Sequence, residues 1–463
     1  MNLFKKIVST AFMCVGVCVS SQASNVILII GDGMDDQQIT AARNYLYGAQ
    51  GHSILSTLPI RSAVQVLTVD EQNPSLVKYV ADSANSATAM ASGGITSRGR
   101  IGTSAKENLD FKTIIELAQE SGLKTGLVST ASITDATPAA FIAHVNDRGC
   151  QSVKHMVAYD DKGDRFIDCS TDIKQQGGKG SISEQLADSQ VDVLLGGGLK
   201  YFKRQNEANN QTLLAQAQAN GFEYINNISQ IDASTNNKKL LGLFAKRHFP
   251  VRLQGTDGRV AEKPSYSFLN YFHRYLGSVT LPEIMTCESN PEFVKQNTPN
   301  LKDLTQLALE RLQNDNGFFL MVESASIDKQ SHKRNPCGSI GEAQQLFETV
   351  QVALDFAKQH EDTLIMITAD HGQAAQIVPN GSMFDAYGVP VASPGFLARI
   401  KTPEGGVMAI NYATNDFSYE EHTGVNVPLF ANRQVSNKKG EKMFTPLIKQ
   451  SNIFDISKVF LDL

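Results

Sequence analysis

Short runs of apolar, often β-branched residues recur along this chain, each released into glycine-rich or polar sequence. "NVILII", "TGLVST", "VDVLLGGG", "GFFLMVE" and "TLIMITAD" are apolar at consecutive rather than alternate positions. That is the pattern of strands buried on both faces. Between them lie amphipathic stretches with the helical period, such as "LDFKTIIELAQESG". Buried strands alternating with helices predict an α/β fold, with a large, mostly parallel central sheet flanked by helices on both faces. From about 255 to 287 the pattern weakens, which reads as an insertion at the carboxyl edge of the strands. The polar stretch "DASTNNKK" (232–239) reads as a surface loop. There is no internal repeat, heptad run or second apolar span.

The first residues differ in kind. "MNLFKKIVSTAFMCVGVCVSSQAS" opens with Lys5 and Lys6, continues apolar from 7 to 19 and ends on small residues at Ser21-Gln22-Ala23. These are the three parts of a secretory signal over 1–23, leaving 24–463 as a single domain. The apolar run is too short for a transmembrane anchor. Met13 and Val17, which precede Cys14 and Cys18, are not the small residues expected before a lipidated cysteine. Removing the signal's two lysines takes the net charge of −5 to −7, so no nucleic-acid-binding surface is evident. Four cysteines remain: Cys150, Cys169, Cys287 and Cys337. They allow three pairings, of which Cys150–Cys169 and Cys287–Cys337 are the most local. The absence of a C-x-x-C spacing argues against a cysteine zinc site, and an even count suits an oxidising compartment.

Candidate chemistry collects at the strand ends. The first strand ends at Asp32, "GFFLMVE" at Glu323, and "TLIMITAD" at Asp370 followed by His371. One acid after a strand is ordinarily a turn former or a helix cap. Three at one edge, where ligands of open α/β sheets gather, make a metal site or a repulsive cluster. Asp328 and His332 are four apart and share a helix face, an oxygen–nitrogen pair suited to zinc. His422 sits in "EEHTG", while the other six histidines read as ordinary polar or surface residues. In "ASITDATPAAFIAHVNDRGC", Asp135 and Thr137 read as a turn into a helix with Pro138 at its first position. Arg148 is a surface charge or, with its planar guanidinium, a grip for two phosphate oxygens. "YVADSANSATAMASGG" is either a closely packed helix of small residues or the mount of a reactive Ser83, with Asp82 as an orienting neighbour.

Together these segments resemble the alkaline phosphatase family, the bacterial periplasmic enzymes above all. The matching pieces are "ILIIGDGM", "ADSANSATAMASG", "VSTASITDATPAAFIAHVNDR", "GGKGSISEQLADSQVDVLLGGG", "GFFLMVESASIDKQSHKRNPCG", "LIMITADHGQAAQIV" and "EEHTG", in family order from 25 to 424. The resemblance implies hydrolysis of phosphate monoesters through a phosphoserine on Ser83. It implies one zinc on Asp328, His332 and His422, where it activates water. It implies a second zinc on Asp32, Asp370 and His371, where it activates Ser83. It also implies a magnesium on Asp32, Thr137 and Glu323, with phosphate oxygens held by Arg148 and a second layer of Asp135 and Lys329. Some relatives carry histidine at one or both of those last two positions. A homodimer, a periplasmic or secreted location and both local disulfides follow from the same resemblance.

The charges suit that chemistry. Three divalent ions against four ligand carboxylates leave an excess of two positive charges before Arg148 is counted, which favours a phosphate dianion and its in-line transfer. A phosphodiesterase or sulfatase on the same metal framework is the first alternative. The Asp135–Thr137 segment and Arg148 oppose it, and "DSANSA" lacks the C/S-x-P-x-R pattern of sulfatases. A non-catalytic phosphate- or metal-binding protein is the second, opposed by a complete set of ligands.

Overall fold

Ten strands form the main sheet: β1 (Ser24–Gly31), β2 (Ile60–Gln65), β3 (Lys124–Ser132), β4 (Val193–Gly197), β5 (Phe222–Ile225), β6 (Lys239–Ala245), β7 (Gly317–Ser324), β8 (Thr363–Ala369), β9 (Val427–Ala431) and β10 (Leu447–Lys449). Their spatial order is β10-β2-β9-β8-β1-β7-β3-β4-β6-β5. Every neighbouring pair is parallel except those that β9 makes with β8 and β2, so β9 alone runs in reverse. This computed structural model describes residues 23–159, 165–206, 210–227, 229–230, 238–273, 275–381 and 393–463. All but the last residue of the expected signal over 1–23, and most of the 232–239 loop, lie outside the described residues.

The apolar runs form the centre of the sheet, as their pattern predicts. β1 is wholly buried from Val26 to Ile30, and β7 and β8 beside it are buried throughout. Helices supply the two covering layers. α1 (Asp36–Tyr47), α5 (Leu301–Leu312) and α7 (Pro336–Gln359) pack together. So do α2 (Ser83–Ser92), α3 (Ile114–Glu120) and α8 (Asn452–Leu461). Two short helices finish the site edge: α4 (Ala136–Ala139) after β3 and α6 (Ser326–His332) after β7.

The weakly patterned 255–287 segment is not without structure. Leu253–Gly255 pairs with Cys287–Ser289, and Ser265–Tyr266 with Val279–Thr280, both antiparallel. This arm exposes Tyr266, Phe268, Leu269, Tyr271, Phe272 and Leu276. A second, four-stranded sheet joins Ile284–Met285, Phe396–Lys401, Val407–Tyr412 and Gln376–Val378. Both local disulfides are present: Cys150–Cys169, and Cys287–Cys337, which ties the base of the insertion to the first turn of α7. Among the described residues no helix is long and apolar enough to cross a membrane.

Candidate active site

Parallel register delivers the acids to one edge. Gly31 pairs with Ser324 on one side and Ala369 on the other, so Asp32 and Asp370, each one residue further, emerge side by side. Glu323 pairs with Ile30 and Ser129 and emerges beside them. Asp32, Glu323, Asp370 and His371 are all essentially inaccessible to solvent. Just past β1, Gly33 turns at φ +68°, and a Cβ there would come within 3.0 Å of Gln373 Cγ and Asp328 Cβ. Only glycine fits so close to the ligands.

Ser83 is the first residue of α2, and Asp82 caps that helix through the Asn85 N–H in a reciprocal capping box. Unsatisfied N–H groups at a helix start favour an anion there. The rest of α2 from Ala84 to Ala91 is buried, so close packing and a mounted serine are both present. Asp135 caps α4, and Pro138 is its third residue rather than its first. The first turn of a helix has no intrahelical use for its N–H groups, so proline is tolerated there too.

Two groups of ligand atoms converge. His371 Nδ1 faces the Gly372 carbonyl at 3.2 Å, which leaves Nε2 as an acceptor. Around that Nε2 stand Ser83 Oγ at 3.2 Å, Asp370 Oδ2 at 3.3 Å and Asp32 Oδ1 at 3.4 Å, with Ser83 Oγ also 3.4 Å from Asp32 Oδ1. Gly33 N–H and His371 N–H occupy Asp370 Oδ1, while Asp370 Oδ2 is buried without a hydrogen bond. In the second group His332 Nδ1 faces the Glu420 carbonyl and His422 Nδ1 the Ala81 carbonyl. Their Nε2 atoms lie 3.1 Å apart and 3.2 and 3.4 Å from Asp328 Oδ1. Ligands about 2.0–2.1 Å from a tetrahedral zinc stand roughly 3.4 Å from one another, so both groups have the spacing of a zinc shell. Asp328 also lies within reach of Asp32 and His371, between the two groups.

An all-oxygen corner adjoins them. Thr137 Oγ1 is buried without a hydrogen-bond partner, near Glu323, whose carboxylate takes the Ser129 hydroxyl. An unsatisfied hydroxyl beside carboxylates suits a hard cation. Lys329 Nζ sits 2.8 Å from Asp135 Oδ2 and 3.7 Å from Asp32 Oδ2. Arg148 donates to Asp82 Oδ2 at 3.1 Å and lies 3.6 Å from Asp135.

The protein alone does not balance these charges. Burial, then the charges of Asp328 and Asp370, push the Asp32 carboxyl well above its usual range, and burial lifts Glu323 to about 7. Burial also opposes the charged form of Asp328, but hydrogen bonds from His332 and His422 hold it well below the usual range. Burial pushes the His371 imidazole down to about 4, so it presents a neutral ring. Despite burial, Lys329 and Arg148 are held charged by the carboxylates around them. Buried carboxylates that repel one another, with bare acceptors between them, call for cations.

A cavity of about 440 Å³ opens onto Ser83, Arg148, Asp135, Lys329, Asp328 and His332. Around the cavity and the ligand groups stand residues that the sequence pattern did not single out. Gln373 donates to Asp328 Oδ1 at 2.5 Å, and the Tyr419 ring stacks on His332 with centroids 4.3 Å apart. Neither residue type signals metal chemistry, and their partners are remote in sequence. His248 is not the ordinary surface residue expected. It lines the cavity, accepts the Ser132 N–H at 3.2 Å and stands 3.7 Å from Asp135. His144 is buried as well, between the Gly102 carbonyl and Glu116.

The alkaline phosphatase family profile matches residues 23–445. The chain belongs to the alkaline phosphatase family. It is therefore a phosphoric monoester hydrolase, of a metal-dependent kind. It is 40% identical over 417 residues to the alkaline phosphatase of Escherichia coli (strain K12), covering 88% of this chain and 81% of that one. Streptomycin-6-phosphate phosphatase of Streptomyces griseus is 37% identical over 428 residues, covering 90% and 86%. The alkaline phosphatase of the Antarctic bacterium TAB5 shares the fold, with TM-score 0.64 at 22% identity over 95% of this chain and 98% of that one. So does the Thermus thermophilus enzyme, with TM-score 0.65 at 18% identity, covering 96% and 92%.

Proposed function

We propose that this alkaline phosphatase family member works through a phosphoserine on Ser83, with two zinc ions and one magnesium. The observation that carries the reading is the set of four atoms from Ser83, Asp32, Asp370 and His371, spaced 3.2–3.4 Å in the pairs above. That spacing supports a zinc shell that would include the Ser83 hydroxyl as one of its ligands. Asp328, His332 and His422 would hold the other zinc, and Asp32, Thr137 and Glu323 the magnesium. Bound there, the ions would lower the proton affinity of the serine hydroxyl and of water and would neutralise the leaving oxygen.

The chain's own groups do the rest. Arg148 turns from Asp82 to grip two phosphoryl oxygens. Ser83 Oγ forms a bond to phosphorus as the ester oxygen leaves in line and takes up a proton. Water then attacks the phosphoserine from the opposite side, releasing inorganic phosphate and returning Ser83, so configuration at phosphorus is retained. Asp135 holds Lys329 and Arg148 in place, in the aspartate/lysine form of the family. The reading extends to a signal at 1–23, a single catalytic domain over 24–463 in the periplasm or outside the cell, and a homodimer. The exposed aromatic arm of the insertion supports the last.

The test is hydrolysis of p-nitrophenyl phosphate, bis-p-nitrophenyl phosphate and p-nitrophenyl sulfate, before and after chelation and with zinc and magnesium restored. The monoester is the preferred substrate, its turnover stops on chelation, and zinc plus magnesium restores it. Preference for the diester or sulfate, or no turnover by a zinc-loaded preparation, overturns the reading.

A further inference from the structure

One wall of the cavity continues into positive charge that the catalytic site does not use. After β4 comes the short helix Leu199–Phe202, with Lys200 in it and Arg204 just beyond. After β6 come Lys246, Arg247 and His248. The two segments are clamped together. Gly198 N–H is shared between the Ala245 and Arg247 carbonyls at 3.0 and 2.9 Å, and Lys200 N–H donates to the Lys246 carbonyl at 3.1 Å. Both follow strands on the Asp135 side of the sheet, and His248 joins them to the site through its place in the cavity wall.

Among the described residues, none of Lys200, Arg204, Lys246 and Arg247 has a carboxylate within ion-pair distance. Lys200 instead lies over the Tyr201 ring, 4.2 Å from its centroid. Lys246, Arg247 and Arg204 are exposed. Partial burial, then Arg247, Arg204 and Lys246, push the Lys200 ammonium down, and burial, then Lys200, Arg204 and Arg247, lower His155. By contrast the cations inside the site, Arg148 and Lys329, are both paired. Like charges gathered with no counterion among the described residues create a positive potential that an anion relieves.

We propose that Lys200, Arg204, Lys246 and Arg247 form a subsite for the distal anionic groups of a phosphate chain whose terminal phosphoryl occupies the catalytic cavity. The inference rests on the monoesterase reading above and adds a substrate class to it. Net charge of −5 argues against a nucleic acid polymer as occupant, whereas a short chain of phosphates fits a patch beside a phosphoryl site. The patch adjoins the His248 and Asp135 wall of the cavity, away from Ser83, so it would select among phosphate compounds without taking part in bond making.

The double variant Lys246→Gln/Arg247→Gln tests it in the metal-loaded protein, with p-nitrophenyl phosphate, inorganic triphosphate and ATP as substrates. Removing two exposed cations lowers kcat/KM for triphosphate or ATP about tenfold and leaves p-nitrophenyl phosphate within about twofold. Raising salt erodes the parent's advantage on triphosphate more than it does the variant's. Equal loss on all three substrates, or no loss on any, overturns the subsite. Absence of p-nitrophenyl phosphate turnover in the parent sinks the monoesterase reading instead. Equilibrium dialysis of triphosphate against a Ser83→Ala form, with and without the two substitutions, then still decides the subsite. Unchanged binding rejects it.

Discussion

At Ser83 a helix start and an imidazole nitrogen meet on one hydroxyl, which is what separates this serine from the other small residues of α2. Ser83→Ala removes the proposed nucleophile but leaves Asp32, Asp370 and His371 in place. Turnover of p-nitrophenyl phosphate falls by about 10³-fold or more, phosphoenzyme trapping gives nothing, and metal content by mass spectrometry is retained. Full turnover in that variant refutes the assignment. Gln373 makes a subtler case, since its amide holds one oxygen of Asp328. Gln373→Met keeps the volume and loses the donor, and zinc affinity measured by chelator competition drops about tenfold or more. An unchanged affinity means that packing alone orients Asp328. Asp32, Asp370 and His371 were legible in the sequence because each leaves a buried strand. Gln373 and His248 were not, because their roles come from neighbours that only the fold supplies.

Among the elements, α6 and α7 form the scaffold of one ligand group, and the Cys287–Cys337 bridge sits at their junction. Cys337 is the second residue of α7, five past His332. Opening a loop of this length frees about 4 kcal/mol of chain entropy on the loop-closure model. The core of β1, β7 and β8 does not depend on the bridge, so under graded reductant zinc release precedes loss of circular dichroism. Simultaneous loss rejects that order. α3 carries its own device. Thr113 caps it, and Glu116 completes the capping box while receiving His144 at 3.2 Å. Burial pushes Glu116 up, but the His144 and Thr113 hydrogen bonds hold it at about 2. A carboxylate held below its unfolded value adds stability above about pH 4.5, and that contribution is lost as pH falls towards 2. Glu116→Gln therefore lowers the melting temperature at neutral pH and flattens its decline between about pH 4.5 and 2. A decline as steep as the parent's shows that another group sets the acid limb. This contact was invisible in the sequence, where His144 is one more isolated histidine.

The whole molecule places charge where a parallel sheet naturally gathers it, at the carboxyl ends of central strands. The buried runs made that sheet legible. The reversal of β9 and the second sheet were not, because strands of two to six residues carry too little pattern to be told from loops. The four-carboxylate cluster has a consequence for global stability. Removing the metals leaves Asp32, Glu323, Asp328 and Asp370 buried in mutual repulsion, with the Thr137 and Asp370 oxygens unsatisfied. Native protein binds the ions and unfolded chain does not, so each ion held a thousandfold above its dissociation constant contributes about 4 kcal/mol. Chelated protein therefore melts well below the metal-loaded form by calorimetry. The difference shrinks at low pH, because protonation of the raised Asp32 and Glu323 carboxyls relieves the same repulsion and competes with the metals. On the proposed assignment, with zinc in two ligand groups and magnesium in one corner, adding zinc recovers most of the melting temperature and magnesium the remainder. If metal analysis shows the ions gone while the melting temperature is unchanged, the carboxylates at the sheet edge do not owe their burial to cations.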